Sequence, residues 1–462
     1  MGAVVIVPLM IIVVSLLFGA KPGPTFNGAI KTAVGFTALN SLVGVLFGAL
    51  GEAITTLGTR YSIAYEVLDI GWVTQTAMGW SIPFAVPLTL VFFLLNWLFL
   101  FLGVFKTLNV DFNNNWIIAT YIYAIQLTTG NTILAFAAGL IFWFLSIKMA
   151  DYIAPWIQPY YKMPVKGLTI THYYTTWWAP IGFVMDKLWD SIPVIRDIKW
   201  DPKEIRDKFG VFGDNIFVGW LVGTLIGLFA YCSWPLTLAA IGQALTLGFS
   251  TSCFMYLVPH AASLIIGGLG PLSETLRKFV TKRMPDKEFY VGLDVAVLVG
   301  APEHSAVGVI AAPIAILISL ILPFNRVLPM GDLTAFIFSL VFITNTNKGN
   351  VFRGLLNAMI LYIPVNLWMT GAMTEINMLM MSKLGYAAPE GAGLVCSLCL
   401  GNLPVMWAFL IICQEVCGVA TNSLIWAILT IVAFCGSWFF MRNRGEEFAK
   451  ELEEANAAGL RD

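Results

Sequence analysis

A carboxylate, Asp294, sits inside an apolar run. From Glu288 the chain reads EFYVGLDVAVLVGAPEHSAVGVIAAPIAILISLILPFNRVLPMGD and ends this stretch at Asp332. An ionisable group at membrane depth is costly and persists where it faces a polar cavity or a partner. About half a chain earlier, residues 65–111 carry the same order of landmarks. Asp69 precedes Asp294 by 225 residues, Pro87 precedes Pro313 by 226, Asp111 precedes Asp332 by 221, and Gly130-Asn131 precedes Gly349-Asn350 by 219. Landmarks that keep their order at a nearly constant offset point to a duplicated unit with small loop deletions.

Composition puts this unit in a bilayer. The chain is 58% hydrophobic and 11% charged, whereas soluble chains carry about 25% charged residues. A net charge of −1 without basic or acidic blocks gives no reason to expect a nucleic-acid partner. The first apolar run, Ala3 to Gly19, leads into Lys21 without a small-residue cleavage site, so it reads as a first span rather than a signal peptide. Cys396 and Cys399 form a C-x-x-C, but no second pair or nearby His completes four ligands. The seven cysteines read as packing, and neither a metal nor another cofactor is expected. No phosphate loop occurs, so the energy source is an ion gradient or a separate protein.

A span needs about 20 apolar residues. The candidates are 3–19, 28–57, 82–105, 116–129, 131–150, 214–231, 236–258, 303–322, 333–346, 353–381 and 420–441, with 393–415 as a short or re-entrant piece. Lys162, Lys166, Lys187, Arg196, Lys199, Lys203, Arg206 and Lys208 in the central connector, and Arg442 and Arg444 at the tail, place both in the cytoplasm. With eleven spans the N-terminus is then outside, and Lys21 and Lys106 are inside. Arg277, Lys278, Lys282, Arg283 and Lys287 precede Asp294, while only Arg60 precedes Asp69. Opposite charge bias at equivalent loops is what inverted repeats produce.

The expected fold is therefore an all-α polytopic membrane protein of about eleven transmembrane helices, two inverted five-helix repeats plus one extra C-terminal helix. Its divisions are a first repeat at 1–160, a basic cytoplasmic connector at 161–212, a second repeat at 213–385, a C-terminal membrane segment at 386–441 and a cytoplasmic tail at 442–462 that reads as a solvated helix. Segments 62–80 and 288–301 break apolar runs with Gly, Asp, Thr and Gln. They read as re-entrant or broken helices, which survive at this depth only when buried in protein or lining a cavity. Their recurrence in both halves points to a midplane site.

Candidate site residues follow from that placement. His172 lies among Thr171, Tyr173, Tyr174, Thr175, Trp177 and Trp178. Imidazole and hydroxyls bond OH groups while flat rings stack on C–H faces, which suits a polyol or sugar; an interfacial His in an aromatic belt is the bland alternative. Asp69 and Asp294 either bind substrate hydroxyls, bind a coupling cation, or cap half-helices. Asp111 and Asp332 read first as caps of the helices that follow them. Gln75, Gln126, Thr128, Thr129 and Asn131 supply neutral donors and acceptors, and Trp72 and Trp177 supply aromatic faces. Glu303-His304 reads as a loop-end pair or a ligand pair, and His260 as structural.

The landmarks together carry a resemblance. L-D-I-G-W at 68–72, L-N-V-D at 108–111, I-T-H at 170–172, I-P-V-I-R-D-I-K-W at 192–200, K-F-G-V-F-G-D at 208–214, G-L-D at 292–294, V-L-P-M-G-D-L at 327–333 and K-G-N-V-F-R at 348–353 resemble the galactitol-type enzyme IIC component of the bacterial phosphotransferase system. The likeness spans about residues 5–445. It implies a membrane permease subunit, not itself an enzyme, in the inner (plasma) membrane. A separate IIB protein, fed by IIA, would carry phosphate on a cysteine and pass it to the incoming polyol.

The related ascorbate-type IIC implies a homodimer with a dimerising part and an elevator-like mobile core, and a His at the position of His172 in the substrate site. The expected site then collects His172, Asp294, Gln75, Thr129, Asn131, Asp69, Asp332 and Trp72. Two departures bear on the substrate. The family pattern has a His where this chain has Ala301, with Glu303-His304 atypical, and small Gly-rich residues where this chain has Tyr173-Tyr174-Thr175. The rival expectation is an ion-coupled secondary transporter of a neutral hydroxylated solute, with Asp69 and Asp294 binding or releasing the ion.

Overall fold

The computed structural model describes residues 3–60, 66–112, 114–163, 167–198, 200, 215–283, 288–329, 331–388 and 393–457. Lys166, Lys199, Lys203, Arg206, Lys208, Lys287 and the 208–214 motif lie outside the described residues. Six helices are long and apolar enough to cross a membrane: Pro22–Leu46, Thr132–Tyr161, Leu238–Leu272, Pro302–Ile321, Val351–Lys383 and Leu424–Met441. Gly71–Ser81 and Ala85–Phe101, bent by 85° at their break, make a seventh when taken as one span. The chain is thus a mostly helical, multi-pass membrane protein. The expected span at 333–346 is instead three short pieces, Leu333–Ala335, Phe336–Ser339 and Val341–Asn345. Asn115–Thr129 is a helix of only 15 residues, short of the length a bilayer needs by itself.

Four helices, Ala3–Leu17, Pro22–Arg60, Asn215–Tyr231 and Leu238–Arg283, pack on one another. Between helices in lipid the attraction is van der Waals contact, which small residues bring close. A Cβ on Gly28 would stand 2.5 Å from the Gly268 carbonyl oxygen, and one on Gly227 would stand 2.5 Å from the Ala244 Cα. These glycines let the backbones touch.

The remainder holds what the helical periodicity did not announce: six short strands in two parallel sheets. They are β1 (Val67–Asp69), β2 (Thr107–Asn109), β3 (Leu168–Ile170), β4 (Tyr290–Leu293), β5 (Val327–Leu328) and β6 (Leu394–Cys396). One sheet runs β5-β1-β6 and the other β2-β4-β3, all pairs parallel. The all-α class holds for the chain as a whole, and these short strands are an addition to it where the helices break. Interrupted backbone at membrane depth must find partners for its N–H and C=O groups, and these segments find them in each other.

Offsets of 220 to 226 residues between strand starts carry β1, β2 and β3 onto β4, β5 and β6, so both sheets have one strand order. Their flanks match as well. Arg326, just before β5, forms a two-pronged bond to Glu66, just before β1, at 2.7 and 2.9 Å. Lys106, before β2, meets Glu288, before β4, at 2.6 Å. Gly130 and Gly349 both turn with positive φ, 68° and 81°. Asn131 and Asn350 then cap the following helices by accepting from Leu134 and Arg353 N–H. The Gly-Asn pairs thus do the same local job in both halves.

Glycine is required where the sheets are tightest. A Cβ on Gly292 in β4 would fall 2.2 Å from the Thr171 Cγ2 and 2.9 Å from the Thr107 Cγ2. Gly71 has φ +78°, and a Cβ on Gly331 would stand 2.3 Å from its nitrogen.

The tail corrects another expectation. Helix Arg444–Ala457 is amphipathic rather than solvated all round: Phe448 and Leu452 are buried, and Phe448 meets Trp156 and Phe183 edge-on at 5.6 and 5.2 Å. Glu451 bridges Arg444 at 2.5 Å and Lys348 at 2.9 Å. Burial of part of Glu451 opposes its ionisation, but the bonds from Arg444 and Lys348 outweigh it and hold the carboxyl below its usual range. The helix is fastened to Thr132–Tyr161.

Gly292→Ala is expected to lower stability by about 1–3 kcal/mol, the usual cost of overpacking. A fall in the thermal unfolding midpoint in detergent checks this; an unchanged midpoint would mean that the threonine methyls yield freely.

Candidate functional site

Because the strands within each sheet run parallel, their C-terminal ends emerge together, and each end carries a polar residue. From β5-β1-β6 come Asp332, Asp69 and Ser397. From β2-β4-β3 come Asp111, Asp294 and Thr171-His172. Residues that follow both sets of ends converge on one cavity of about 110 Å³. Trp72, Cys399 and Ser339 approach from the first sheet's side, and Asn114, Trp116, His172, Tyr174 and Asp294 from the second. Phe36, Leu39 and Asn40 of helix Pro22–Arg60 form a further wall.

The four carboxylates divide into two kinds. Asp69 accepts from the N–H groups of Gly71 (3.1 Å), Asp332 (2.8 Å) and Leu398 (3.3 Å). Asp332 accepts from the Trp72 N–H, the Ser397 hydroxyl (2.6 Å) and the Cys399 N–H. Both are buried, at 3% and 1% exposure, and their lone pairs are taken up by backbone that would otherwise be unpaired. This is N-terminal capping carried across three strand ends.

The second sheet arranges its pair differently. The Asn114 amide donates to both oxygens of Asp111, at 2.9 and 2.8 Å, and to one oxygen of Asp294 at 2.5 Å. Asp294 also caps its own turn through the Ala296 N–H at 2.7 Å. It is only half-buried, and it is the one carboxylate of the four on the cavity wall. Beneath it, Asn109 accepts from the Thr171 hydroxyl at 2.7 Å and contacts the Tyr173 hydroxyl at 3.2 Å. His172 begins the short helix Tyr173–Thr176; its Nδ1 lies 3.3 Å from the Thr175 hydroxyl and its ring 5.0 Å from that of Tyr174. These bonds fix the imidazole against the cavity.

Of the expected site residues, the structure brings His172, Asp294 and Trp72 together on this cavity. Asp69 and Asp332 lie behind Trp72 as caps. Gln75 is buried on helix Gly71–Ser81, with neither amide atom bonded among the described residues and no place on the cavity wall. Thr129 and Asn131 stand at the junction of helices Asn115–Thr129 and Thr132–Tyr161, where the Thr129 hydroxyl donates to Ile125 and Asn131 is an exposed cap. Trp177 is packed on Phe142 at 5.4 Å and donates to Ser146.

Glu303 and His304 form a separate buried cluster with the Tyr160 and Tyr161 hydroxyls, at 2.7 and 2.6 Å. Arg353, expected near a span end, is buried and paired with Asp186 at 2.6 Å and Asp190 at 2.8 Å.

Sequence reasoning named Tyr174 as a neighbour of His172 but did not single out Asn114, Asn40, Ser339 or Trp116. Only the run of Asn after Asp111 was a usable signal for Asn114. Among the described residues no group of His, Cys, Asp and Glu has the makings of a metal site. Among the described residues no Lys or Arg is on the cavity wall.

A family profile described as "PTS system sugar-specific permease component" (EIIC-GAT) matches residues 1–384. The galactitol-specific EIIC component of the PTS system of Escherichia coli K12 is 27% identical over 407 residues, covering 88% of each chain. A protein of the same strain named putative permease IIC component is 30% identical over 369 residues, covering 79% of this chain and 82% of its own.

Asn114→Leu removes the side-chain amide shared by buried Asp111 and half-buried Asp294. The expected cost is about 1–3 kcal/mol for unsatisfied buried acceptors, read as a lower unfolding midpoint. Substitution at the exposed cap Asn131 by Ser, which can also cap, is expected to leave the midpoint within error.

Proposed function

The chain belongs to the family of PTS system sugar-specific permease components, and from that premise we propose that it carries a neutral hydroxylated solute, a galactitol-like polyol or a hexose, to a separate phospho-IIB at the cytoplasmic face. A permease component is the translocation subunit, and the phosphoryl transfer belongs to other proteins. The observation that carries the reading is the cavity wall. One open carboxylate, an imidazole, amides, a hydroxyl and aromatic faces meet there without a Lys or Arg. Hydroxyl groups both donate and accept, so a polyol satisfies Asp294, His172 and Asn40 at once. An anionic solute would find no counter-charge and would be repelled by Asp294.

The same reading extends to the architecture. The matching strand orders, the two flanking ion pairs and the two Gly-Asn caps support two repeats. Asp69 meets Asp332, and Asp111 meets Asp294, so the first landmark of each half partners the third landmark of the other. That crossing is what an inverted pair related by an in-plane axis would give. The basic end near Lys21, Lys106 and Lys278 supports a cytoplasmic placement of the β2-β4-β3 side and an outside N-terminus.

Alternating access would arise as the sheet-bearing part moves against helix Pro22–Arg60, whose Phe36, Leu39 and Asn40 close one side of the cavity. The four-helix bundle would be the stationary, dimerising part.

Transport into vesicles distinguishes this from ion-coupled symport. Phosphorylated IIB inside the vesicles is expected to yield phosphorylated solute, and its omission to stop accumulation. Free solute accumulating with an ion gradient alone would overturn the proposal. Separately, Asp294→Asn and His172→Ala are each expected to weaken solute binding at least tenfold, in line with about 1.5–3 kcal/mol for hydrogen bonds to charged groups. Calorimetric binding measurements test this on variants that keep the wild-type unfolding midpoint, and undiminished affinity in both would remove the site assignment.

A further inference from the structure

A second cleft opens at the end of the four-helix bundle where helix Pro22–Arg60 begins and helix Leu238–Arg283 ends. It encloses about 1040 Å³. Three cations line it, Lys21, Lys278 and Lys282, all exposed. Glu274 engages Lys278 at 2.5 Å, so a positive excess remains. The first turn of helix Pro22–Arg60 supplies Pro24 and Thr25 to the cleft and contains no acidic residue. The positive end of that helix dipole is offset by the negative end of helix Leu238–Arg283, so the lysines set the sign of the cleft.

One wall is aromatic. Phe18 stacks on Trp97 with centroids 4.9 Å apart and planes 17° apart, and its edge meets Phe279 at 4.4 Å. Phe18 thereby joins the bundle to helix Ala85–Phe101, which carries exposed Leu94, Leu98 and Phe101. Charge lies at the helix ends, aromatic rings beside it, and apolar side chains beyond. That is the order phosphate, glycerol and acyl chain take in a phospholipid at the edge of a bilayer, where basic pockets between helices hold anionic headgroups.

We propose that this cleft binds an anionic phospholipid, with Lys21 and Lys282 on its phosphate and Phe18 and Trp97 against its glycerol and upper chains. A lipid seated there touches both the bundle and helix Ala85–Phe101 and so ties the two together at the membrane surface. A free phosphate meets the lysines but not the aromatic wall, and a zwitterionic lipid brings no net charge to them.

Native mass spectrometry of the full chain in detergent tests this, titrated in parallel with phosphatidylglycerol, phosphatidylethanolamine and inorganic phosphate. Phosphatidylglycerol adducts are expected to persist, and Lys21→Gln with Lys282→Gln to weaken them about tenfold. Lys21→Arg with Lys282→Arg, which keeps the charge, is expected to retain them and serves as the folding control. Equal retention of both lipids, untouched by the Gln pair, would overturn the proposal. So would displacement of phosphatidylglycerol by equimolar inorganic phosphate, which would make the cleft a site for a free anion.

Discussion

Backbone groups that leave a helix inside a membrane have no water to bond, and this protein's architecture follows from how it meets that constraint. Six interrupted segments each contribute a strand of two to four residues. Each group of three closes its own hydrogen bonds, and parallel pairing forces the loose ends to one side. Polar residues gather at those ends because something must bond the N–H groups that the strands leave over. The cavity is a by-product of two such gatherings meeting.

The division of labour among the carboxylates follows from the same accounting of donors. Asp69 and Asp332 between them receive six hydrogen bonds, five from backbone N–H groups and one from the Ser397 hydroxyl. A carboxylate so engaged is a structural bolt with little left to offer a solute. On the other side Asn114 supplies a side-chain amide to Asp111 and Asp294 together, and Asp294 keeps an open flank. A single Asn thus distinguishes a sealed pair from one that faces a cavity.

The helical bundle solves a different problem. Its glycines bring backbones into contact where lipid gives no hydrophobic push, and one of its two long helices, Pro22–Arg60, lends three residues to the cavity wall. The cavity is therefore composite, with one wall on the bundle and the rest on the sheet-bearing part.

The membrane class was legible from composition, because burying so few charges among so many apolar residues leaves a bilayer as the only solvent. The landmarks Asp69, Asp111, Asp294 and Asp332 were legible too, since a carboxylate between apolar runs has few tolerable environments, and the hydroxyls and rings beside His172 drew attention to a residue that lines the cavity. Apolar periodicity could not reveal the strands: VLD, TLN and LVC are too short to show a period, and their pairing partners lie far away in the chain. Nor could it separate the caps from the open carboxylate. Asp69 and Asp294 both follow Leu and precede a β-branched residue, and what separates their roles is which distant N–H groups and which amide arrive beside them. Only the folded chain decides that, because hydrogen-bond partners across some 180 to 330 residues are set by packing and leave no local trace.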